Sequence, residues 1–238
     1  MRFSIIIPTL NESRNISSCI RSIIGLKDTG SSIEVIIIDG GSKDNTLEIA
    51  SGFDNKIELR MIQSGEADLP DQLNKGACVA KGDILIFLHA DCRLSGDALN
   101  KIEYSYNKFP DMAGGAFTMR VEGDRFFYNI LSVAGNIYSR ITKKFFGDRA
   151  IFVRREIFDE ISGFKDLPFM SGYDFSKRLK KAGGIRFLKG PVISSGRKFK
   201  NEPFYKIIYL TLWSVASFDL GIDPAIIKKR YYGPGTNL

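Results

Sequence analysis

Three acidic residues come shortly after apolar stretches that read as β-strands, which is where a ligand-binding acid is expected. The apolar run 84–88 leads into His89 and Asp91, and Glu12 and Asp39 follow two earlier apolar runs. Open α/β sheets bind their ligands at the carboxyl ends of strands, and carboxylate oxygens suit hard divalent cations. An acid at a strand end is equally typical of a helix cap, so residues 89–91 alone leave both readings open.

The elements that must position these acids alternate between strands and helices. Apolar runs predict strands at 3–7, 34–38, 58–63 and 84–88. Between them, capping residues and helical spacing predict helices that end near residues 24, 50 and 80. This βαβ pattern predicts an α/β fold in which the three acid-bearing loops share one edge of a parallel sheet.

Two large classes of nucleotide-binding enzyme lack support in the sequence. No Gly-x-Gly-x-x-Gly follows the first strand, and no phosphate-binding glycine-rich loop with lysine and serine occurs. These absences argue against a dinucleotide-dependent oxidoreductase and against a P-loop enzyme. Carboxylates in place of glycines suggest contacts to a base, a ribose and a metal ion that neutralises a diphosphate.

The composition is typical of a folded globular protein in a reducing compartment. Of the 238 residues, 44% are hydrophobic and 26% are charged. The amino terminus lacks the cleavage-site pattern of a secretory signal, and the three cysteines are odd in number and widely spaced. We therefore expect a cytoplasmic protein.

The net charge of +7 leaves several kinds of partner to consider. Cationic residues concentrate after residue 140 and alternate with aromatic residues such as Phe145 and Phe146, which leaves peripheral contact with the inner face of a membrane open beside plain solvation. No nucleic-acid-binding motif is recognisable, so we expect no nucleic acid partner. The apolar stretch 207–218 is shorter than the roughly 20 residues needed to cross a bilayer, and it predicts a helix packed on the core.

Several motifs, taken in order along the chain, resemble the inverting glycosyltransferases of family 2. They are Pro8-Thr9-Leu10-Asn11-Glu12, Asp39-Gly40-Gly41-Ser42, Asn74-Lys75-Gly76 and Leu88-His89-Ala90-Asp91. The resemblance is greatest to the subgroup with His-Ala-Asp in place of Asp-x-Asp and a later Gly-Asp-Gln block, here Gly147-Asp148-Arg149. It implies a GT-A type fold, with a mostly parallel, Rossmann-like sheet flanked by helices. It also implies one domain over 1–238, with a nucleotide-binding half at 1–92 and an acceptor-side half with carboxyl-terminal helices at 93–238.

The resemblance implies a role for each residue that matches a family motif. Asp39 would bind the base of the donor, with Thr9 and Glu12 near the nucleoside, and Asp91 would bind Mn²⁺ or Mg²⁺. The full set implied for the nucleotide sugar is Pro8, Thr9, Asn11, Glu12, Asp39, Asn74 and Asp91. His89 replaces the first acid of the metal motif and shares a strand face with Asp91, which allows ligation, although packing is the alternative.

The catalytic base is the open question, because related sequences carry a Glu-Asp pair where this chain has Ser171 and Gly172. Inverting transfer needs a carboxylate that takes the proton of the acceptor hydroxyl. Asp174 is the nearest acid, although it also reads as a first-turn helix acid, and Asp148 is the second candidate. The alternative function is a protein that binds a sugar nucleotide without transferring the sugar.

Further candidates lie on the side expected to bind the acceptor. Small residues around Gly115 would let an acceptor or a neighbouring backbone approach closely. Arg178 and Arg197 could face the diphosphate or an anionic acceptor, with a helix-surface ion pair and a solvated loop charge as the alternatives. The sequence therefore predicts a metal-dependent inverting glycosyltransferase that uses a UDP- or GDP-sugar and an unidentified acceptor, with a lipid-linked acceptor left open.

Overall fold

The protein is built around one eight-stranded sheet with the strand order β3-β2-β1-β4-β7-β6-β8-β5. The computed structural model describes residues 1–27, 30–123, 126–196 and 203–233, without the side chains of Pro191 and Phe204. The strands are β1 (Arg2–Thr9), β2 (Ser32–Asp39), β3 (Glu58–Gln63), β4 (Ile84–Phe87), β5 (Cys92–Arg93), β6 (Met112–Glu122), β7 (Ile151–Arg154) and β8 (Gly184–Ser195).

Helices connect and flank these strands. They are α1 (Ile16–Ile24), α2 (Thr46–Ser51), α3 (Leu69–Val79), α4 (Ala98–Lys108), α5 (Phe126–Thr142), α6 (Arg155–Glu160), α7 (Ser171–Ala182), α8 (Phe204–Asp219) and α9 (Pro224–Tyr232), with a 3₁₀ turn at Gly147–Arg149. None of the helices in the described ranges is long and apolar enough to cross a membrane.

The first four strands form the parallel part of the sheet, as the βαβ pattern predicted. β1 pairs in parallel with β2 and β4, and β2 pairs in parallel with β3. The isoleucines of β1 are buried on both faces, because Ile5 and Ile7 pack into one core cluster and Ile6 packs into the cluster on the opposite side. A strand that is covered by helices on both faces reads as a continuous apolar run, which is why its position was predictable.

Beyond β4 the sheet becomes mixed. β7 pairs antiparallel with β4 and β6, β8 pairs in parallel with β6, and β5 pairs antiparallel with β8. This arrangement brings segments that are far apart in sequence to the carboxyl end of β4. Strand β5 follows that end directly in the chain, and β8 pairs with β5.

Local backbone geometry and ring contacts set the ends of two helices. Helix α5 ends at Thr142, where Lys143 adopts a left-handed conformation with φ of 58° and turns the chain. Tyr231 and Tyr232 are the last two residues of α9. Phe169 contacts both tyrosine rings and thereby fixes the end of this helix.

Candidate functional site

The carboxyl ends of β1 and β2 form one edge of the sheet, which we call the β1–β2 rim (residues 8–13 and 39–46). The parallel register places Thr9 directly beside Asp39. Pro8 is a buried residue of β1, and the chain turns after Leu10 because Asn11 adopts a left-handed conformation with φ of 53°. Asparagine tolerates this conformation better than most residues.

Asp39 is buried, and its carboxylate accepts four hydrogen bonds from the rim itself. Oδ1 accepts from the hydroxyls of Thr9 at 2.9 Å and Ser42 at 2.5 Å, and Oδ2 accepts from the amides of Gly41 at 3.0 Å and Ser42 at 2.8 Å. A carboxylate has about four acceptor positions, so these donors fill it. A base N–H would therefore have to share or replace one of these donors.

Side chains of each rim loop bind the backbone of the other. The amide of Asn11 donates to Ser42 Oγ at 2.9 Å, and Asn11 Oδ1 accepts from the amide of Lys43 at 2.8 Å. The amide of Glu12 donates to Thr46 Oγ1 at 2.8 Å. The hydroxyl of Thr46, together with contacts from Ser13, lowers the pKa of Asp44 to about 2. These contacts hold the two loops in one arrangement.

The side chain of Gln72 supports the rim from below, a role that the sequence did not reveal. Gln72 is buried in α3, and its Nε2 donates to the carbonyls of Thr9 at 3.0 Å and Ile38 at 2.7 Å. A polar residue beside Leu73 on the buried face of a helix was the available signal. The predicted Asn74 lies elsewhere, because its amide exchanges two hydrogen bonds with the backbone of Phe164.

Asp91 and Glu12 lie near one buried thiol. Burial, together with the negative charges of Asp91 and Glu12, raises the pKa of Cys19, whose Sγ also lies 3.8 Å from the carbonyl of His89. The structure thus brings the end of β4 towards the β1–β2 rim. Asp91 is half-buried, and its Oδ1 accepts a hydrogen bond from Cys92 Sγ at 3.4 Å.

The chemistry of Asp91 fits a divalent cation that takes most of its ligands from a substrate. The part of the chain that the structure describes contains no cluster of three or more His, Cys, Asp or Glu side chains able to hold a metal ion. Magnesium-like ions are commonly bound by one or two carboxylates together with substrate phosphates and water. Asp91 is therefore suited to bind such an ion with a diphosphate, but not to hold one alone.

His89 packs against the 3₁₀ turn, and the turn packs against α7. A Cβ added to Gly147 would lie 3.0 Å from His89 Nε2, and a Cβ added to Gly172 would lie 2.7 Å from the amide nitrogen of Gly147. We call this the turn–helix contact (Gly147–Arg149 against residues 171–172). The position expected to carry an acid is thus glycine because the backbone of the turn occupies its side-chain space. Asp148 belongs to the turn, and its carbonyl lies 3.8 Å from Cys92 Sγ.

The two remaining charged candidates of α7 are paired with each other. Arg178 Nε donates to Asp174 Oδ2 at 2.7 Å, and Lys165 Nζ lies 3.8 Å from Asp174 Oδ1. Arg178 Nη1 also donates to the carbonyl of Ile161 at 2.5 Å. Arg178 therefore forms the helix ion pair that was its alternative reading. Arg197 lies outside the described residues.

Gly115 lies inside the sheet. A Cβ at this position would lie 2.0 Å from the carbonyl oxygen of Arg186 on β8, so a neighbouring strand occupies the space that the glycine leaves. Of the two interpretations of the small residues around Gly115, close approach of an acceptor or of a neighbouring backbone, the structure shows the second.

The sequence did not reveal a hydrogen-bonded network around Asp219, which we call the Asp219 cluster. Asp219 at the end of α8 accepts from Lys144 at 2.7 Å, Lys177 at 2.7 Å and Tyr173 at 3.0 Å. Tyr173 is fully buried and its hydroxyl also lies 3.1 Å from that of Tyr138 on α5. The cluster joins α5, α7 and α8. No local pattern identifies it, because its members are up to 81 residues apart in the sequence, from 138 to 219.

Comparison with protein families matches residues 4–165 to the family described as Glycosyl transferase family 2. Among curated proteins, the chain is 31% identical over 182 residues to the PGL/p-HBAD biosynthesis glycosyltransferase of Mycobacterium tuberculosis, covering 74% of this chain and 68% of that protein. It is 27% identical over 168 residues to the dolichol-phosphate mannosyltransferase of Pyrococcus furiosus, covering 69% of this chain and 45% of that protein.

Two solved structures share the fold over most of this chain. The first is S. aureus TarS 1-349 in complex with UDP-GlcNAc, with a TM-score of 0.69, 18% identity and coverage of 97% of this chain and 70% of that one. The second is the mannosyltransferase PcManGT from Pyrobaculum calidifontis in complex with GDP-Man and Mn²⁺, with a TM-score of 0.67, 20% identity and coverage of 97% and 69%. These likenesses confirm the predicted GT-A type α/β fold.

Proposed function

Because the chain belongs to glycosyltransferase family 2 and transfers a sugar from a nucleotide sugar, we propose that the transfer is metal-dependent and inverting, and uses a UDP- or GDP-sugar. The observation that carries this proposal is that the half-buried Asp91 and Glu12 of the β1–β2 rim both lie near Cys19 of α1, whose Sγ is 3.8 Å from the carbonyl of His89. The relatives that bind UDP-GlcNAc, or GDP-Man with Mn²⁺, support the donor class and the metal.

The β1–β2 rim is proposed to bind the nucleoside. Thr9, Asn11 and Glu12 line the β1 side, and Asp39 lies opposite with its carboxylate held by four donors. A base N–H would bind to Asp39 by sharing an oxygen with one of the two hydroxyl donors, Thr9 or Ser42, or by replacing it. Pro8 and Asn74 would act indirectly, because one is buried in β1 and the other binds Phe164.

Asp91 is the residue we assign to the metal ion, Mn²⁺ or Mg²⁺. When bound, the ion would supply positive charge for the leaving diphosphate. We assign His89 to packing, because its Nε2 edge already lies against Gly147.

We assign the role of general base to Asp148. Gly172 faces the turn, and residues two apart on a helix point about 200° apart, so Asp174 points away from the turn. The carboxylate of Asp174 is also engaged by Arg178 at 2.7 Å. Asp148 would take the proton of the acceptor hydroxyl as the new bond to the anomeric carbon forms and the bond to the diphosphate oxygen breaks.

The alternative function, a sugar-nucleotide binder without transferase activity, is supported by one observation. The turn–helix contact leaves no room for the family's acid at position 172. Donor hydrolysis by the purified protein that is lost in Asp148→Asn would exclude this alternative.

The subgroup, the acceptor and the location are proposed on narrower grounds. His89-Ala90-Asp91 matches the His-Ala-Asp subgroup, whereas Arg149 departs from its Gly-Asp-Gln block. A relative named for dolichol-phosphate supports a lipid-linked acceptor. We keep the division into a nucleotide-binding half at 1–92 and an acceptor-side half at 93–238, and a cytoplasmic location with peripheral contact at the inner face of a membrane.

Calorimetric titration with UDP and GDP, with and without Mn²⁺, tests the donor site. We expect one nucleotide to bind more tightly with Mn²⁺, and this gain to disappear in Asp91→Asn. Asp54→Asn is the matched control, because Asp54 is an exposed acid in the loop after α2. If neither nucleotide binds, or if Asp91→Asn keeps the full effect of Mn²⁺, the proposal is wrong.

A further inference from the structure

Two surface helices carry an apolar stripe that faces solvent. On α5 the stripe consists of Phe126, Ile130, Val133, Ile137 and Ile141, which are between 39% and 78% exposed. On α8 it consists of Tyr205, Tyr209 and Leu212, with Leu220 directly after the helix; these four are between 51% and 82% exposed, and the exposed Ala216 lies between the last two. Both stripes repeat at positions i, i+4, i+7, i+11 and i+15, so each covers one face along its whole helix.

Serine predominates among the buried residues of these helices. α5 buries Ser132 and Ser139 beside Tyr128, and α8 buries Ser214 and Ser217 beside Ile207. A surface helix of a globular protein normally does the reverse, with apolar residues inward and polar residues outward. Contiguous exposed apolar surface marks an interaction site. The stripes are therefore suited to a partner outside this chain.

The charge of the same region indicates the kind of partner. Helices α5, α8 and α9 contain the cationic residues Arg140, Lys206, Lys228, Lys229 and Arg230. Their single acidic residue is Asp219, and its carboxylate is already paired with Lys144 and Lys177. A second copy of this chain would bring like charges together, whereas anionic lipid headgroups would be attracted.

We propose that the apolar stripes of α5 and α8 form a docking surface for an anionic lipid bilayer. Amphipathic helices with apolar and aromatic residues on one face and cations beside them lie in the plane of the bilayer interface. The stripes would enter the boundary between headgroups and acyl chains, and the cations of the three helices would contact the phosphates.

The docking surface is joined to the acceptor side of the proposed active site. The Asp219 cluster connects the carboxyl ends of α5 and α8 to Tyr173, and Tyr173 follows Gly172 of the turn–helix contact. A bound membrane would thus lie against helices that are linked to that contact through Tyr173. Vesicle binding is measured without a donor, so the failure of this proposal and the failure of the proposed transferase activity are distinguishable.

Co-sedimentation of the full chain with phosphatidylcholine vesicles, with and without phosphatidylglycerol, tests the docking surface. We expect binding to the vesicles that contain phosphatidylglycerol and a loss of binding at high salt, which screens the cations. Ile137→Ser combined with Leu212→Ser should weaken binding by about tenfold or more, because two exposed apolar side chains no longer enter the bilayer. Met61→Ser combined with Tyr104→Ser is the matched control, because both residues are exposed outside the stripes.

A second pair of variants keeps the test valid if the serine substitutions on the stripes disturb folding. Arg140→Ser combined with Lys229→Ser leaves the stripes intact and should weaken binding by about tenfold, whereas Lys56→Ser should not. The proposal would be overturned if the wild-type protein bound vesicles of neither lipid composition. It would also be overturned if the wild type and both double variants bound equally well. A wild-type dimer that the stripe variant converts to a monomer, without vesicle binding, would also overturn it and identify a self-association surface.

Discussion

The β1–β2 rim and the turn–helix contact are held together by different kinds of interaction. In the rim, hydroxyl, amide and carboxylate groups of two adjacent loops bind each other, and Asp39 alone accepts four hydrogen bonds. In the turn–helix contact, two glycine backbones approach so closely that a Cβ on Gly172 would lie 2.7 Å from Gly147 N. The rim therefore depends on polar partners, and the contact depends on the absence of side chains.

The two regions also differ in what they offer a substrate. The rim is already ordered by its own hydrogen bonds, so a nucleoside would meet a largely preformed site. The turn–helix contact has no acid at position 172, where one was expected. The catalytic base must therefore come from the turn or from another face of α7. This difference turns the comparison into four predictions.

The largest expected effect separates the two candidate bases. Asp148→Asn should lower the rate of donor hydrolysis by about a hundredfold or more, because general acid–base catalysis typically contributes at least that factor. Asp174→Asn should retain most of the activity, since that carboxylate is paired with Arg178. The measurement is release of UDP or GDP from the donor. The opposite ranking of the two variants would move the base from the turn to α7.

The β1–β2 rim should be sensitive to loss of a single polar support. Gln72→Met keeps the length of the side chain but leaves the carbonyls of Thr9 and Ile38 without the Nε2 donor. We expect a loss of about 2 kcal/mol in the free energy of unfolding, measured in urea, because buried acceptors lose a partner. Gln63→Met is the control, because Gln63 is exposed on β3. Equal effects of the two changes would contradict the supporting role of Gln72.

The turn–helix contact should instead be sensitive to a single added carbon. Gly172→Ala places a Cβ against the backbone of Gly147, and overpacking should lower the free energy of unfolding by about 1.5 kcal/mol. Gly96→Ala is the matched control, because a Cβ there would lie at an ordinary 3.5 Å from the nearest atom. A neutral Gly172→Ala would show that the turn can move, and that an acid could be accommodated after all.

The same difference explains what the sequence could predict. Strands β1, β2 and β4 were predictable because helices bury both of their faces, which requires unbroken apolar runs, and the adjacency of Thr9 and Asp39 follows from parallel pairing. The turn–helix contact was not predictable, because Gly147 and Gly172, which meet there, are 25 positions apart in the sequence. The only signal in the sequence is that both residues are glycine. The Asp219 cluster was hidden for the same reason.

The smallest expected effect compares Asp44 of the β1–β2 rim with Asp219, whose cluster adjoins the turn–helix contact through Tyr173. Burial alone would raise the pKa of Asp219, but the bonds from Lys144, Lys177 and Tyr173 outweigh burial and hold the pKa at about 2, below its ordinary value of 3.8. Because the pKa is lower in the folded state, this stabilisation is fully present above pH 3.8 and is lost as the pH falls towards 2. Since Asp219 is about one-third exposed, we expect Asp219→Asn to cost about 1 kcal/mol at pH 7, after allowance for solvent screening.

Salt distinguishes this aspartate from its counterpart in the rim. Asp44 also has a pKa of about 2, but a hydroxyl of Thr46 is the main cause, so its partner is neutral. The partners of Asp219 include the ammonium groups of Lys144 and Lys177. Salt at about 1 M strongly screens the attraction between these charges. Urea unfolding at pH 7 should therefore show that salt reduces the effect of Asp219→Asn and leaves that of Asp44→Asn nearly unchanged. If salt reduces both effects equally, the rim is also held by long-range charge, and the rim and the Asp219 cluster do not differ in their electrostatics.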